Sequence, residues 1–487
     1  MREMPRRSFL GSGLAAAAGL SVPTGAWLRA AARPRGANQD LRVAVIGLNG
    51  RGNDLTHAFA AAEGSRVIAL CDVDSAVLER RLGEFEQRHG YRPDGEADAR
   101  RLFDRADIDA VAIATPNHWH ALLTIWACQA GKDVYCEKPV SHNVFEGRKA
   151  VEAAAKYGRV VATGTQSRSS QGIQQAIAWL HEGGLGKIEV ARGLCYKTRK
   201  SLGRVAGPTP IPASVDYDLW CGPADMLPLR RKSLHYDWHW VWNTGNGDIG
   251  NQGIHQMDIA RWALGAESLS ERVLSVGGRF GYVDDGETPN TQFAVHEFPQ
   301  GRLVFEVRGL YENNGNQQQE GYRGIKIGNV IECEHGWVAM DTARAWAHDS
   351  EGALLRTFEA GPDAVRTHVA NFLDCVQRRA PQDLANGILG GHLSSALCHT
   401  GNISHRVGRI TEPEAIKAQF ASGFAAKTYA RLVEHLAGRG LDLATLEPVL
   451  GADLRMDPAT ERFVGAPMAD LLLSRNYRAP FVVPAAV

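Results

Sequence analysis

Val43-Ala-Val-Ile46-Gly47-Leu-Asn49-Gly50-Arg51-Gly52 is an apolar strand running into a glycine turn, and Asn53 to Ala62 then reads as a helix. Strand, glycine turn and helix in this order form the setting of a dinucleotide-binding loop. Glycines let the backbone turn tightly and approach a pyrophosphate, which rests on the amino terminus of the helix. Gly47 and Gly52 occupy the first and last positions of G-x-G-x-x-G. Asn49 stands at the middle one, and asparagine tolerates left-handed backbone angles better than most residues. Twenty residues after Gly52, the run Ser65–Cys71 ends in Asp72. An acidic side chain there binds a ribose 2′-hydroxyl, which favours NAD. Arg51, within reach of a 2′-phosphate, leaves NADP open.

Outward from the loop, strands are expected over 41–47, 66–71, 109–114, 133–136 and 159–162, with helices near 53–62, 75–89, 118–130 and 143–157. This alternation predicts a parallel, doubly wound α/β sheet. Ligands of such sheets bind beyond the carboxyl ends of the strands. Thr115-Pro116-Asn117-His118 follows one strand at that edge, and Asn117 also suits a helix cap. Glu137-Lys138-Pro139 follows another and carries the Lys138 ammonium toward the same crevice.

After Gly164 the rhythm changes. A helix near 171–183 precedes strands near 187–196, 271–280, 291–298, 302–309, 323–334 and 337–341, which predicts a mostly antiparallel sheet in an α+β domain. Helices near 363–378 and 391–406 follow. The expected divisions are a leader over 1–37, a nucleotide domain over 38–162, a second domain over 163–410 and an extension over 411–487 to which no role is assigned.

The second domain carries His235-Tyr-Asp237-Trp238-His239-Trp240 and the helix containing Asn251, His255 and Asp258. Those three residues stand at i, i+4 and i+7, one face of a helix. Trp238 offers a flat platform suited to a sugar ring, and His235, His239 and His255 offer polar groups. Lys197 and Arg199 are expected to face the same cleft. No metal site is expected, because the carboxylates Asp237 and Asp258 are not placed to complete a His235/His239 pair.

The 487 residues include 54 basic and 54 acidic side chains, a balance that points to neither nucleic acid nor an anionic membrane. Arg6-Arg7-Ser-Phe9-Leu10 precedes an apolar, alanine-rich stretch to about Ala26, with small residues for cleavage at Ala32 or Ala37. This reads as a twin-arginine export signal rather than a membrane anchor. It predicts passage through the twin-arginine translocase and, in a cell with two membranes, a periplasmic location. The eight cysteines include no C-x-x-C pair.

Together, Gly47–Gly52, Asp72, Thr115-Pro-Asn-His118, Glu137-Lys-Pro139 and Gly253-Ile-His255-Gln-Met-Asp258 resemble the glucose–fructose oxidoreductase/inositol dehydrogenase (Gfo/Idh/MocA) family. The resemblance implies a Rossmann domain followed by an open-faced, mostly antiparallel sheet domain, and homo-oligomers. It implies that Lys138 contacts substrate and nicotinamide ribose and that His255 is the catalytic histidine. Where the dehydrogenases usually carry Asp, this chain has Asn251. An amide adds no charge to raise the basicity of His255, so Asp258, His239 and Lys138 become its candidate partners. An exported enzyme has no ready NAD(H) pool, so a tightly bound cofactor restored in each cycle is expected. The expected reaction is oxidation of a secondary hydroxyl of a sugar or glycoside. The alternatives are an NAD-dependent glycosidase working by transient C3 oxidation and elimination, and a non-catalytic sugar- or cofactor-binding protein.

Overall fold

A computed structural model describes residues 40–310, 321–420 and 422–487, so the twin-arginine leader lies outside the described residues. Strands β1 (Leu41–Ile46), β2 (Ser65–Cys71), β3 (Asp94–Glu96), β4 (Ala110–Ile113), β5 (Asp133–Cys136) and β6 (Val161–Thr163) form a parallel sheet in the order β3-β2-β1-β4-β5-β6. Helices α1 (Arg51–Ala61), α2 (Ser75–His89), α3 (Ala99–Phe103), α4 (Asn117–Gln129) and α5 (Val144–Tyr157) connect the strands. Val43 and Val45 bury against Phe59 on one face, and Ala44 and Ile46 against Leu122 and Ile125 on the other. Burial on both faces explains why these strands read as continuous apolar runs. The polar β3, Asp94-Gly-Glu96, carries no such pattern and was not expected.

The chain continues through α6 (Gln171–His181), β7 (Ile188–Cys195), α7 (Tyr217–Cys221), α8 (Gly247–Asn251) and α9 (Gly253–Leu264). Then come β8 (Arg272–Gly278), β9 (Thr291–Phe298), β10 (Gly301–Arg308), β11 (Ile327–Cys333), β12 (Gly336–Met340), β13 (Ala345–Asp349) and β14 (Leu354–Phe358). These strands run β14-β13-β12-β11-β7-β10-β9-β8 in space, antiparallel except for the β7–β10 pair. Helices α10 (Ala364–Arg378) and α11 (Ile388–Arg406) return across both sheets, Phe372 of α10 against Phe59 and Leu397 of α11 against the second core.

Helix α9 carries the expected site face, yet nearly all of it is buried, between the second sheet and α11. Its approach to the sheet depends on two glycines. A Cβ on Gly253 would lie 2.5 Å from the Phe305 ring, and one on Gly193 would lie 2.9 Å from Gln256 Cβ.

The carboxyl-terminal extension belongs to this second layer. β15 (Arg409–Ile410), β16 (Val449–Leu450) and β17 (Leu454–Asp457) continue the sheet beyond β8. Helices α12 (Pro413–Gln419) and α13 (Gly423–Ala437) lay Ile416, Phe420 and Leu432 against Phe293, Val295 and Val304. These helices cover the part of the outer face formed by β7, β8, β9 and β10. Arg431 of α13 joins Arg192 and Arg308 around the buried Glu306 carboxylate. All eight cysteines are buried and unpaired. Among the described residues no helix is long and apolar enough to cross a membrane.

Candidate cofactor cleft and active site

The carboxyl ends of β1, β2, β4 and β5 open into a cleft of about 530 Å³. Its glycine loop is shaped by contacts that exclude side chains. Gly47 has φ +85°, and a Cβ there would lie 2.8 Å from the Ala114 carbonyl oxygen; one on Gly52 would lie 1.6 Å from the Gly47 oxygen. Gly52→Ala should therefore destabilise the first domain by roughly 3 kcal/mol or more, read as a lower melting temperature. A Cβ on Gly50 would meet nothing within 4 Å, although Gly50 lines the cleft. Gly50 is also the amino-terminal cap of α1 and supplies no side-chain capping bond. The amides of Arg51 and Gly52, the first two of α1, are thus left for an anion, while Asn53 N donates to Gly50 O at 2.9 Å.

Three polar atoms here are buried without a partner: Thr115 Oγ1, Asn117 Nδ2 and Arg51 Nη2. Buried donors and acceptors are normally satisfied, and a dinucleotide would satisfy these. Asp72 braces the loop, its Oδ2 accepting from Leu48 N at 2.8 Å and its Oδ1 from Asp74 N at 3.0 Å. Arg51 is not at the ribose end. Its Nε lies 2.7 Å from Glu137 Oε1 at the end of β5, so it is not placed to meet a 2′-phosphate beside Asp72. Asn117 does not cap α4, because Pro116 is the cap and the amide of Asn117 is unpaired.

His118 points away from the cleft, with Nε2 3.0 Å from the Trp220 carbonyl. This corrects its expected cofactor contact. His120 lines the cleft instead and bridges two strand ends, with Nε2 2.7 Å from Thr115 O and Nδ1 2.6 Å from Pro139 O. Its i+3 spacing from Asn117, the same helix face, was the available signal.

Lys138 Nζ reaches across to the second domain and donates to the Asn251 carbonyl at 2.9 Å. That bond uses the backbone, so it does not depend on Asn standing where Asp is usual. Burial pulls the Lys138 pKa below the ordinary lysine value; Glu137 opposes this, and Arg51, Lys197 and Arg199 add to it. His239 lines the same cleft. Its Nδ1 lies 2.6 Å from Tyr236 O, and its ring stacks on Trp238 at 3.7 Å. A carbonyl only accepts, so Nδ1 carries the hydrogen and Nε2 keeps a lone pair. Burial, with the charges of Lys138 and Arg199, lowers the His239 pKa to about 3. The ring is neutral at working pH.

The other expected site residues divide. His255 lines a separate cavity beyond the α8–α9 junction. Its Nδ1 is buried and unpartnered, and burial and the Lys138 charge depress its pKa. Asp258 is fully buried and lines neither space. It is held by Arg168 at 2.8 and 2.9 Å, by Ser394 Oγ at 2.8 Å and by Asn386 at 3.2 Å. Asp258 therefore anchors structure and is not a catalytic residue, a correction to the helix-face reading. Arg199 is committed to Asp248 and to the Tyr236 hydroxyl. Lys197 has no ion-pair partner among the described residues. Trp238 lines the cleft and is largely buried, with one ring face stacked on His239; Tyr236, 50% exposed, is the more open aromatic surface beside it. His235 Nε2 pairs with Asp74 Oδ2 at 2.8 Å.

Comparison with known proteins decides the family. Residues 41–165 match the family described as "Oxidoreductase family, NAD-binding Rossmann fold", and 185–280 match its "C-terminal alpha/beta domain". The chain belongs to the Gfo/Idh/MocA oxidoreductase family. It is similar to levoglucosan dehydrogenase of Pseudarthrobacter phenanthrenivorans, 27% identical over 52% of this chain and 61% of the relative. It is also similar to glycosyl hydrolase family 109 protein 2 of Shewanella sp. strain ANA-3, 32% identical over 30% of this chain and 36% of the relative. The match thus spans between about a third and three fifths of these curated relatives. Among solved structures, the WlbA dehydrogenase of Bordetella pertussis in complex with NADH and UDP-GlcNAcA shares the fold, with a TM-score of 0.54 and 19% identity over 74% of this chain and 94% of that one.

In this Gfo/Idh/MocA chain, part of the second domain is laid over the NAD-binding cleft. Ser75 N donates to Ser214 O at 2.8 Å and Asp216 N to Val73 O at 3.0 Å. His235 adds its bond to Asp74, and Trp119 Nε1 donates to Leu219 O at 3.0 Å. The carboxyl-terminal tail fastens this cover from outside. Arg478 pairs with Asp218 and donates to Gly222 O at 3.1 Å, and Arg475 donates to Asn243 O at 2.8 Å. The Phe481 ring packs against Trp119 at 5.4 Å.

Proposed function

We propose that the protein oxidises a secondary hydroxyl of a sugar or glycoside, using NAD held in this cleft and retained between turnovers, the NADH formed being re-oxidised in place by hydride transfer to the carbonyl of a second sugar-like substrate. The observation that carries the reading is that Lys138 and His239 both line the one cleft that begins at the glycine loop. When bound, NAD supplies the hydride acceptor. Lys138 uses one N–H on Asn251 O and has others for the substrate oxygen, whose developing charge it stabilises. His239 Nε2 accepts the hydrogen bond of the hydroxyl and, with its pKa low, relays the proton to solvent in the cleft rather than holding it. Two relatives, a levoglucosan dehydrogenase and a glycosyl hydrolase family 109 protein, support a sugar-like substrate. The protein as purified, incubated with sugars and glycosides without added cofactor, should form a ketosugar detectable by mass spectrometry. Unchanged sugars across the panel would contradict the reading. The family 109 relative favours a second reading, transient oxidation followed by elimination of the glycosidic bond, which would release a free aglycone instead.

The pH dependence has a definite sign. The mechanism needs Lys138 protonated, so activity should fall on the alkaline side, below the ordinary lysine pKa. Lys197 helps to depress the Lys138 pKa, so Lys197→Gln should move that alkaline limb to higher pH in a kcat/KM profile. A limb that stays in place would remove Lys197 from the Lys138 environment.

Export accompanies this reading. Replacing Arg6 and Arg7 by Lys should leave the precursor in the cytoplasm, read by cell fractionation. Unchanged export would contradict a twin-arginine route.

A further inference from the structure

We infer that the second cavity, beyond the α8–α9 junction, is a subsite for a neutral sugar ring attached to the reacting one. The inference rests on the sugar-oxidising reading for where the reacting ring sits. Asn251 lines the cofactor cleft, whereas Gln252 and His255 line the second cavity. Asn251 and Gln252 are adjacent in the chain, so the two spaces have walls on the same junction of α8 and α9. The second cavity, about 460 Å³, lies within the range of roughly 300–1,000 Å³ usual for small-molecule pockets.

Its chemistry selects the ligand. Among the described residues, no lysine or arginine lines it. Arg168, adjacent in sequence to the lining residues Gln166 and Ser167, is committed to Asp258 and lies 4.4 Å over the Trp262 ring. The single lining carboxylate, Asp363, accepts the amides of Val365 and Arg366 at the start of α10. What remains are the amides of Gln166, Gln252 and Gln256, the hydroxyls of Ser167 and Thr342, and His255. These amides are underused: Gln166 Oε1 is buried without a partner, and the Gln252–Gln256 bond is long at 3.4 Å. Amides and hydroxyls both donate and accept, as sugar hydroxyls require. Ala343, Ala360 and Pro362 supply apolar surface for the C–H face of a ring. With no cation on the walls, a phosphate or a uronate would be desolvated without compensation.

The test is binding to the holoprotein, read by calorimetry, with matched probes: methyl β-glucoside and cellobiose, methyl α-glucoside and maltose, methyl β-N-acetylglucosaminide and chitobiose. At least one disaccharide should bind about tenfold or more tightly than its methyl glycoside. Thr342→Trp, an exposed residue on the cavity wall, should remove that advantage and leave methyl glycoside affinity unchanged; Gln166→Ala should reduce it. Absence of any disaccharide advantage, or its survival in Thr342→Trp, overturns the subsite, as does preferential binding of a glucuronide. Binding is read without turnover. A protein that shows this pattern but forms no ketosugar contradicts the oxidoreductase reading and leaves the subsite standing.

Discussion

Lys138→Ala should lower turnover by about 10²–10³-fold while leaving bound NAD and the melting temperature close to those of the parent. The rate effect follows from position. Lys138 is the cation that lines the cleft beside His239, and no water-like substitute supplies a preorganised charge at the substrate oxygen. The small stability effect follows from its bonding. Its hydrogen bond to Asn251 O contributes about 1 kcal/mol, and removing a buried ammonium relieves its proximity to Arg51, Lys197 and Arg199. Steady-state kinetics beside a thermal melt separates the two. Unchanged turnover would remove Lys138 from the chemistry and favour a binding protein.

The double variant His235→Ala/Arg478→Ala should release the cofactor at least tenfold faster, so that NAD is lost on gel filtration while the fold persists. His235 ties the cover to Asp74 of the first domain, and Arg478 ties the same cover to the tail through Asp218 and Gly222. Both pairs are partly exposed, so each is worth only about 1 kcal/mol after screening. Together they approach 2 kcal/mol, and 1.4 kcal/mol is a factor of ten in an opening equilibrium. Retention equal to the parent would mean that the cover does not hold the cofactor.

What the sequence revealed depended on whether the signal was local. The glycine loop and Asp72 form one strand–turn–helix–strand unit, and the alternation around it predicted the parallel sheet. Lys138 was visible because a strand end fixes where its side chain points. Asp258 was misplaced because helical spacing identifies a face but not what the face meets. On α9 nearly every direction is buried, so i+7 led to Arg168 and Ser394 instead of the cleft. Trp238 lines the cleft, but helical spacing could not show that one face of its ring is taken up by His239. His120 had a local signal in its spacing from Asn117. The cover and its fastening had none: His235 meets Asp74 from 161 residues away and Arg478 meets Asp218 from 260. The extension had no motif, and its role emerges only from where it packs.

The most direct test of a retained, working cofactor uses the protein as purified. Denaturing one portion and quantifying the nicotinamide released should give about one NAD per chain. Adding an oxidisable sugar or glycoside to another portion, with no cofactor supplied, should convert that NAD to NADH and yield the ketosugar. Protein that releases no nicotinamide, or whose bound NAD is never reduced across the sugar panel, would contradict the account.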